Sequence, residues 1–258
     1  MKITLSIVTY NNKCIIGPTL DSINKHYAGK ILVVDNASTD GTREYLMDLA
    51  NDIDNLEILP LKTNIGFGKA HNIAIEKIDS DYHIICNPDI RLRNETISKL
   101  AEYMSKRQDV GLVVPKFFYE DGHLQASNRQ LPSIFDLYLR RFCPMFLQRI
   151  FQKRMEWYEN LHLGYDYEYE VPSVSGAFLF CRTNVLKKVG GFDKRYFMYF
   201  EDSDLGRQMR NLGYRTMYNP NAEVVHVWQR QNHSSLKMTI VFIRNGIRYF
   251  NKWGWKIF

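Results

Sequence analysis

The first 115 residues alternate between short apolar runs and segments with helical periodicity, and this pattern constrains the fold more than any other feature. The apolar runs cover residues 3–9, 31–34, 56–59, 82–86 and 110–114, and a polar or glycine-bearing turn and a helical segment separate each from the next. Apolar strands that alternate with helices are typical of a largely parallel sheet covered on both faces. We therefore predict an α/β fold with a mostly parallel central sheet, helices on both faces and a C-terminal helical region.

The regular alternation of apolar runs and helical segments ends after Pro115. The pattern predicts a hairpin over 117–125, a basic and aromatic helical insert over about 132–163, a strand over 171–180 and a short helix from Thr183. Strands over 215–218 and 223–227 and a last helix over 234–252 follow. We expect a main domain over 1–227, with halves at 1–115 and 116–227, and a basic aromatic C-terminal helix over 228–258.

The net charge of +6 comes from two local surfaces. Residues 129–154 contain six Lys or Arg and one acid, and residues 227–258 contain six and none. The four cysteines are far apart and form no metal-type pair, which favours a reducing, cytoplasmic setting. The start of the sequence lacks a secretory pattern, and no apolar run approaches the roughly 20 residues of a membrane span.

Polar residues follow several of the predicted strands. Asp35 ends the second, Asn87-Pro88-Asp89 follows the fourth, and His226 closes an apolar strand near the C-terminus. Ligands of open α/β sheets bind outside the carboxyl ends of the strands. Each motif alone also fits a plain turn or a packed histidine, and Gly66 and Gly68 match no phosphate-loop fingerprint.

The segment 197–205, FMYFEDSDL, places Glu201, Asp202 and Asp204 in the first turn of a helix. Acidic residues stabilise a helix N-terminus by about 0.3–1 kcal/mol each. Three so close together repel one another, which raises at least one pKa toward the range of a general base. Capping and catalysis are equally good interpretations of this segment by itself.

Taken in order, the motifs resemble the family 2 inverting glycosyltransferases with the GT-A nucleotide-diphospho-sugar transferase fold, and most closely their bacterial rhamnosyltransferase-like branch. The resemblance is carried by SIVTYN from Ser6, VVDNASTDGT from Val33, NIGFGKAHN from Asn64, NPDI from Asn87, SGAFLF from Ser175 and GGFDKRYFMYFEDSDLGRQMR from Gly190. The long last segment is the most specific match. Residues 132–169 show no family pattern.

Matched position by position, the resemblance implies a role for each of several residues. Asp202 would be the general base, with Glu201 beside it, and Asp89 and His226 would hold a divalent metal, Mn or Mg. Asn87 replaces the first acid of the family's metal motif. The nucleotide would contact Thr9, Tyr10, Asn11, Asp35, Asn36, Gly66, Phe67, Lys69, Asn72 and Asn87. The sugar and acceptor would contact Ser175, Gly176, Ala177 and Glu201.

The implied donor is a nucleotide-diphospho-sugar, dTDP-L-rhamnose first and a UDP-hexose second. The implied acceptor is a saccharide or a lipid-diphosphate-linked sugar, as in surface polysaccharide synthesis. The basic aromatic C-terminus favours peripheral attachment at the inner face of the plasma membrane, although a helix packed on the core explains it nearly as well. A non-catalytic sugar- or nucleotide-binding subunit is an alternative function. A nucleotidyltransferase lacks its basic N-terminal loop here, and clustered acids argue against a nucleic-acid partner.

Overall fold

The apolar runs of the first half form four neighbouring parallel strands. The computed structural model describes residues 1–144, 148–227 and 235–258, so His233, Ser234 and the predicted start of the last helix lie outside the described residues. The elements of the first half are β1 (Ile3–Thr9), α1 (Lys13–His26), β2 (Lys30–Asp35), α2 (Thr42–Asp52), β3 (Leu56–Pro60), α3 (Phe67–Lys77), β4 (Tyr82–Cys86), β5 (Ile90–Leu92) and α4 (Thr96–Lys106).

The second half completes the same sheet. Its elements are β6 (Val110–Phe118), α5 (Ile134–Arg141), α6 (Gln152–Tyr158), β7 (Tyr169–Glu170), β8 (Phe178–Arg182), α7 (Thr183–Lys188), α8 (Glu201–Asn211), β9 (Arg215–His226) and α9 (Leu236–Trp253). Single 3₁₀ turns at Arg149–Phe151 and Leu161–Leu163 flank α6.

The sheet order is β3-β2-β1-β4-β8-β6-β9-β5, and β7 pairs with β9. Pairing is parallel among the first four strands and between β6 and β9, whereas β8, β5 and β7 run the other way. Six of the nine strands therefore point in one direction, which confirms the mostly parallel prediction, although the second half of the sheet is mixed. The carboxyl ends of the six strands share one edge.

Alternate residues of each strand face two apolar layers. Leu5 and Ile7 pack with residues of α1, α2 and α4, and Val8 packs on the other face with residues of α3, α7 and α8. A third cluster joins α9 to the chain before α8 through Tyr196, Phe200, Tyr249 and Phe250.

Two predictions of the second half need correction, and one short strand of the first half was not predicted. The strand predicted over 171–180 begins only at Phe178, because residues 171–177 bond to several separate segments instead of one neighbour. The two strands predicted over 215–227 are the single strand β9, which crosses Pro220 through a register shift against β6. The three residues of β5 are too few to give a periodic signal.

Candidate active site

The shared carboxyl edge of the sheet brings together the polar groups singled out in the sequence. Thr9 and Asp35 are register partners at the ends of β1 and β2, and Ile90 pairs with His226 nearby. Because β8 is antiparallel, the residues that precede it, 175–177, reach the same edge. The backbone N–H of Asn87 donates to the carbonyl of Ala177 over 2.8 Å, which joins two of the predicted groups directly.

Asp35 is fully buried and already holds two partners. Arg43 donates through Nε to Asp35 Oδ2 over 2.6 Å, and the Ser38 amide donates to Oδ1 over 3.2 Å. The carboxylate thus fixes the β2–α2 turn, and a nucleotide contact would have to use its remaining lone pairs.

The turn after β1 is built against that same β2–α2 turn. Asn11, at φ 56°, accepts a 2.8 Å hydrogen bond from the Thr39 amide through its side chain. The buried Thr9 hydroxyl donates to Asn12 Oδ1 over 3.1 Å. Tyr10 stays 46% exposed between them and is the member of this group whose ring is accessible to a ligand.

The glycine loop before α3 touches the backbone that leads to the acids. Gly66 has φ +89°, and a Cβ there would lie 2.2 Å from the carbonyl oxygen of Phe197. The amide of Phe67 donates to that same oxygen over 2.9 Å. Asn36 supports the loop, because its Oδ1 accepts a 2.9 Å hydrogen bond from the Ile65 amide. Lys69 follows in the first turn of α3, half-buried.

Asn72, one turn further along α3, also contacts the backbone that leads to the acids. Its side chain donates to the carbonyl of Phe192 over 2.7 Å and accepts from the Phe192 amide over 2.8 Å. Both ends of the amide are therefore occupied by protein backbone. The observed role of Asn72 is to position the chain that precedes the acids, and a direct nucleotide contact stays a prediction.

The acid pair begins α8 after two strained residues. Tyr199 and Phe200 both have φ 72°, a conformation that costs a non-glycine residue about 1–3 kcal/mol. Phe200 is buried against Phe242 and Tyr249, with ring centroids at 5.2 and 5.4 Å. This aromatic contact holds the strained turn and directs the start of α8 toward the edge of the sheet.

Asp202 is held by two amides. The Gly176 amide donates to Oδ2 over 2.9 Å and the Ser203 amide to Oδ1 over 2.7 Å. Burial raises the pKa of Asp202, and the hydrogen bonds from Gly176 and Ser203 offset part of the rise. The carboxylate is oriented but retains free lone pairs, as a general base requires.

Glu201 is the second acid of the pair, and its pKa is raised. Burial, reinforced by the charge of Asp202, raises its pKa to about 8. Its Oε2 is buried without a hydrogen-bond partner among the described residues. Burial and the neighbouring carboxylate favour the protonated form of Glu201, which can donate a hydrogen bond.

Asp204 contacts different residues from Glu201 and Asp202. It is fully buried on the other side of α8, where Lys252 Nζ lies 2.8 Å from Oδ1 and Trp253 Nε1 donates over 2.6 Å. The three acids thus have separate surroundings. The charge of Asp202 contributes more than that of Asp204 to the raised pKa of Glu201, and both act in the same direction.

Asp89 and His226 form a pair suited to a cation. His226 Nε2 lies 3.4 Å from Asp89 Oδ2, and Asp89 Oδ1 is buried with no partner among the described residues. His226 Nδ1 lies 2.9 Å from Gln125 Oε1, which leaves Nε2 as the ring nitrogen that faces Asp89. A divalent cation completed by phosphate and water oxygens fits this donor set. The described residues contain no group of three or more metal-ligating side chains.

Sequence reasoning missed three residues of this region. Gln125 orients His226, and Arg129 and Arg140 lie near the acid pair. The backbone of Arg129 forms two hydrogen bonds with Ser173, of 3.1 and 3.0 Å, three residues before Gly176. The only signal was the run of basic residues over 129–154, which carries no positional information.

The chain is similar in sequence to known glycosyltransferases. The model of glycosyl transferase family 2 matches residues 4–189. An N-acetylglucosaminyl-diphospho-decaprenol L-rhamnosyltransferase of Mycobacterium tuberculosis is 32% identical over 207 residues, 76% of this chain and 66% of that protein. The rhamnosyltransferase WbbL of Escherichia coli is 26% identical over 239 residues, 88% of this chain and 84% of that one.

The fold has solved counterparts. A mannosyltransferase from Pyrobaculum calidifontis, in complex with GDP-Man and Mn²⁺, superimposes with a TM-score of 0.67 at 19% identity and covers 97% of this chain and 63% of its own. This chain thus spans about two thirds of the length of the mycobacterial relative and of that mannosyltransferase. By the extent of the family match and by its fold, the chain belongs to glycosyltransferase family 2, with the GT-A architecture.

Proposed function

We propose that this chain is an inverting glycosyltransferase that moves L-rhamnose from dTDP-L-rhamnose onto a hydroxyl of a lipid-linked or saccharide acceptor in surface polysaccharide synthesis. The observation that carries the proposal is the environment of Asp202, whose carboxylate is partly buried and fixed by the Gly176 amide at the ligand-binding edge. The rhamnosyltransferase relatives supply the choice of sugar.

The chemistry is a single displacement. The acceptor hydroxyl attacks the anomeric carbon on the face opposite the nucleotide, and Asp202 takes the hydroxyl proton as the new C–O bond forms. The bond to the diphosphate oxygen breaks, and the nucleoside diphosphate leaves with the electron pair. One displacement inverts the anomeric configuration without a covalent enzyme intermediate. Glu201, protonated, is placed to hydrogen-bond a sugar hydroxyl.

The donor would lie across the ends of β1, β2 and β4. Tyr10 and the Asp35 turn are placed for the base, and the loop of Gly66 to Lys69 for the ribose and phosphates. Asp89 and His226 would hold a divalent cation, Mn²⁺ or Mg²⁺, which when bound neutralises charge on the departing diphosphate. The Mn²⁺ of the mannosyltransferase complex supports this assignment.

The C-terminal helix supports attachment at a membrane surface. Leu236, Ile240, Ile243 and Ile247 form one stripe of α9 and are 76%, 58%, 49% and 45% exposed. Exposed Lys237 and Arg244 border the stripe, a combination that favours an anionic bilayer interface. No helix in the described part of the chain is long and apolar enough to cross a membrane. We place the protein at the cytoplasmic face, where nucleotide sugars are made.

The test is thermal stabilisation by dTDP and by UDP, each with and without Mn²⁺ or Mg²⁺. A ligand at 100 times its Kd stabilises the folded state by about 2.7 kcal/mol, which is readily measured. Stabilisation by dTDP that increases with metal supports the proposal, and a preference for UDP indicates a UDP-hexose donor instead. Absence of stabilisation by either nucleotide would leave a non-catalytic subunit as the better description.

A further inference from the structure

An apolar groove lies between α5 and α9, next to the acid pair. It has a volume of about 250 Å³ and opens to solvent along both helices. Its walls include Leu137 and Phe142 from the α5 side and Ile243, Ile247 and Trp255 from the α9 side. The C-terminal segment closes one end, where the amide of Ile134 donates to the carbonyl of Lys256 over 2.9 Å.

The inner end of this groove is Phe200. Phe200 directly precedes Glu201, and a Cβ on Gly246, another lining residue, would lie 3.3 Å from its ring. The strained turn at Phe200 therefore connects the groove to the proposed catalytic acids. A hydrocarbon chain in the groove would end within a short distance of the place where the acceptor hydroxyl must lie.

Guanidinium groups lie near the groove and near Asp202. Arg141 stacks on Phe242 of the groove wall, 4.6 Å from its ring centroid. Arg140, the preceding residue, is exposed on α5, and the charges of Arg129 and Asp202 both act on it.

Arg129 has an unused hydrogen-bond donor near Asp202. Its Nε is buried and has no hydrogen-bond partner in the described part of the chain. Its charge acts on both Asp202 and Arg140. Among the described residues neither Arg129 nor Arg140 belongs to an ion pair, whereas Arg43 and Arg154 each bind a buried carboxylate. Two neighbouring guanidiniums that lie near the charge of Asp202 but form no ion-pair contact among the described residues can bind an anion such as a phosphate.

We infer that the groove between α5 and α9 seats the hydrocarbon chain of the acceptor, and that Arg140 and Arg129 bind the phosphate next to that chain. This inference rests on the proposed function, and it specifies the acceptor as an amphiphile whose phosphate lies between lipid and sugar. Chain, phosphate and reacting hydroxyl would then occupy the groove, the arginine pair and Asp202 in that order.

The inference is tested with farnesyl diphosphate, a soluble C15 isoprenyl diphosphate, in calorimetric titrations with saturating dTDP and Mn²⁺ present. The nucleotide keeps the probe's diphosphate out of the donor site. We expect farnesyl diphosphate to bind at least about tenfold more tightly than farnesol or inorganic diphosphate, because only the probe has both chain and anion.

Matched variants locate the binding. Ile247→Asp, inside the groove, should weaken the affinity for farnesyl diphosphate by about tenfold or more, as should Arg140→Ala, with partial recovery in Arg140→Lys. Ile240→Asp lies on the same helix and is similarly exposed but does not line the groove, so its affinity should stay within about twofold. Both isoleucine positions are solvent-exposed, so both variants should fold.

Other outcomes overturn the inference. Equal losses in Ile240→Asp and Ile247→Asp would mean that α9 binds lipid as a flat surface. The same conclusion would follow if anionic vesicles bound the protein tightly while farnesyl diphosphate did not. Stabilisation by dTDP without binding of farnesyl diphosphate would refute the binding of an acceptor chain in the groove and would leave the proposed function intact. Absence of dTDP binding would refute the proposed function, and the variant series would still report on the groove.

Discussion

The backbone N–H of Gly176 donates a 2.9 Å hydrogen bond to Asp202 Oδ2, across 26 residues of sequence. A Cβ on Gly176 would lie 3.2 Å from the Cβ of Asp202 and 3.4 Å from Oδ2. Gly176, two residues before β8, thus both orients the proposed general base and leaves it room. The contact connects the segment predicted to bind sugar with the one predicted to perform the chemistry.

The first prediction concerns Asp202 itself. Asp202→Asn keeps the shape of the side chain but removes the proton acceptor, so kcat should fall by about 10²–10⁴. Stabilisation by dTDP should be unchanged, because the base does not contact the nucleotide in the proposed arrangement. Full turnover in the variant would show that another group is the base.

Gly176→Ala tests the positioning of that base. The added methyl group must displace Asp202 by a few tenths of an ångström, and we expect kcat to fall by about tenfold or more with little change in dTDP affinity. Gly206→Ala is the control: its new Cβ would meet only ordinary contacts at 3.7 Å, and alanine favours a helix interior. Equal activities of the two variants would contradict the proposed role of Gly176.

Glu201 should make stability depend on pH. Its pKa is raised in the folded state, so between the ordinary value of 4.5 and about 8 the folded state keeps a proton that the unfolded chain loses. The stabilising contribution is complete below about pH 4.5 and is lost as the pH rises through 8. Relative to the wild type, Glu201→Gln should gain roughly 1–4 kcal/mol in the free energy of unfolding between pH 5 and pH 9.

Urea titrations at several pH values measure this difference, and parallel pH profiles for the variant and the wild type would contradict it. Glu57→Gln provides a control of opposite sign. A hydrogen bond from Lys30 lowers the pKa of Glu57, so its contribution is present at neutral pH and lost in acid. Because Glu57 is partly exposed, that effect should be less than about 1 kcal/mol.

Asp89 and His226 should control the metal dependence of nucleotide binding. Asp89→Asn or His226→Ala should weaken Mn²⁺ binding in the presence of dTDP by at least about tenfold, since each variant removes one of the two proposed protein ligands. Stabilisation by dTDP in EDTA should not change. Asp121→Asn, in an exposed turn, is the control, and retention of the full Mn²⁺ effect in Asp89→Asn would exclude this pair as the site.

Lys252 should stabilise the junction between α8 and α9. Its ammonium lies 2.9 Å from Asp204 Oδ2, and Asp204 is fully buried. Lys252→Met leaves that carboxylate with only Trp253 and Gln208, which should cost about 2–4 kcal/mol in urea unfolding. Lys237→Met, on the exposed side of α9, should change stability by less than about 0.5 kcal/mol. Equal effects would contradict the role assigned to Asp204.

The sequence determined the first half of the fold almost completely. Continuous apolar runs and helices with period 3.6 are local patterns, and β1 to β4 lie within about one or two residues of their predicted bounds. The edge that carries Asp35, Asp89 and His226 followed from strand direction alone. The family resemblance identified the acid segment because that segment is long and specific.

Only the tertiary structure decided how the polar residues divide into binding and supporting roles. Asp204 looked equivalent to Glu201 and Asp202 in sequence, but a helix turn of about 100° per residue directs it to Lys252. Asn36 and Asn72 are committed to backbone groups distant in the chain. The phosphate-binding role proposed for Arg129 and Arg140 follows only from their surroundings in the folded protein. Spacing along a chain sets which residues share a local face, whereas burial, charge and hydrogen-bond partners depend on segments brought together by folding.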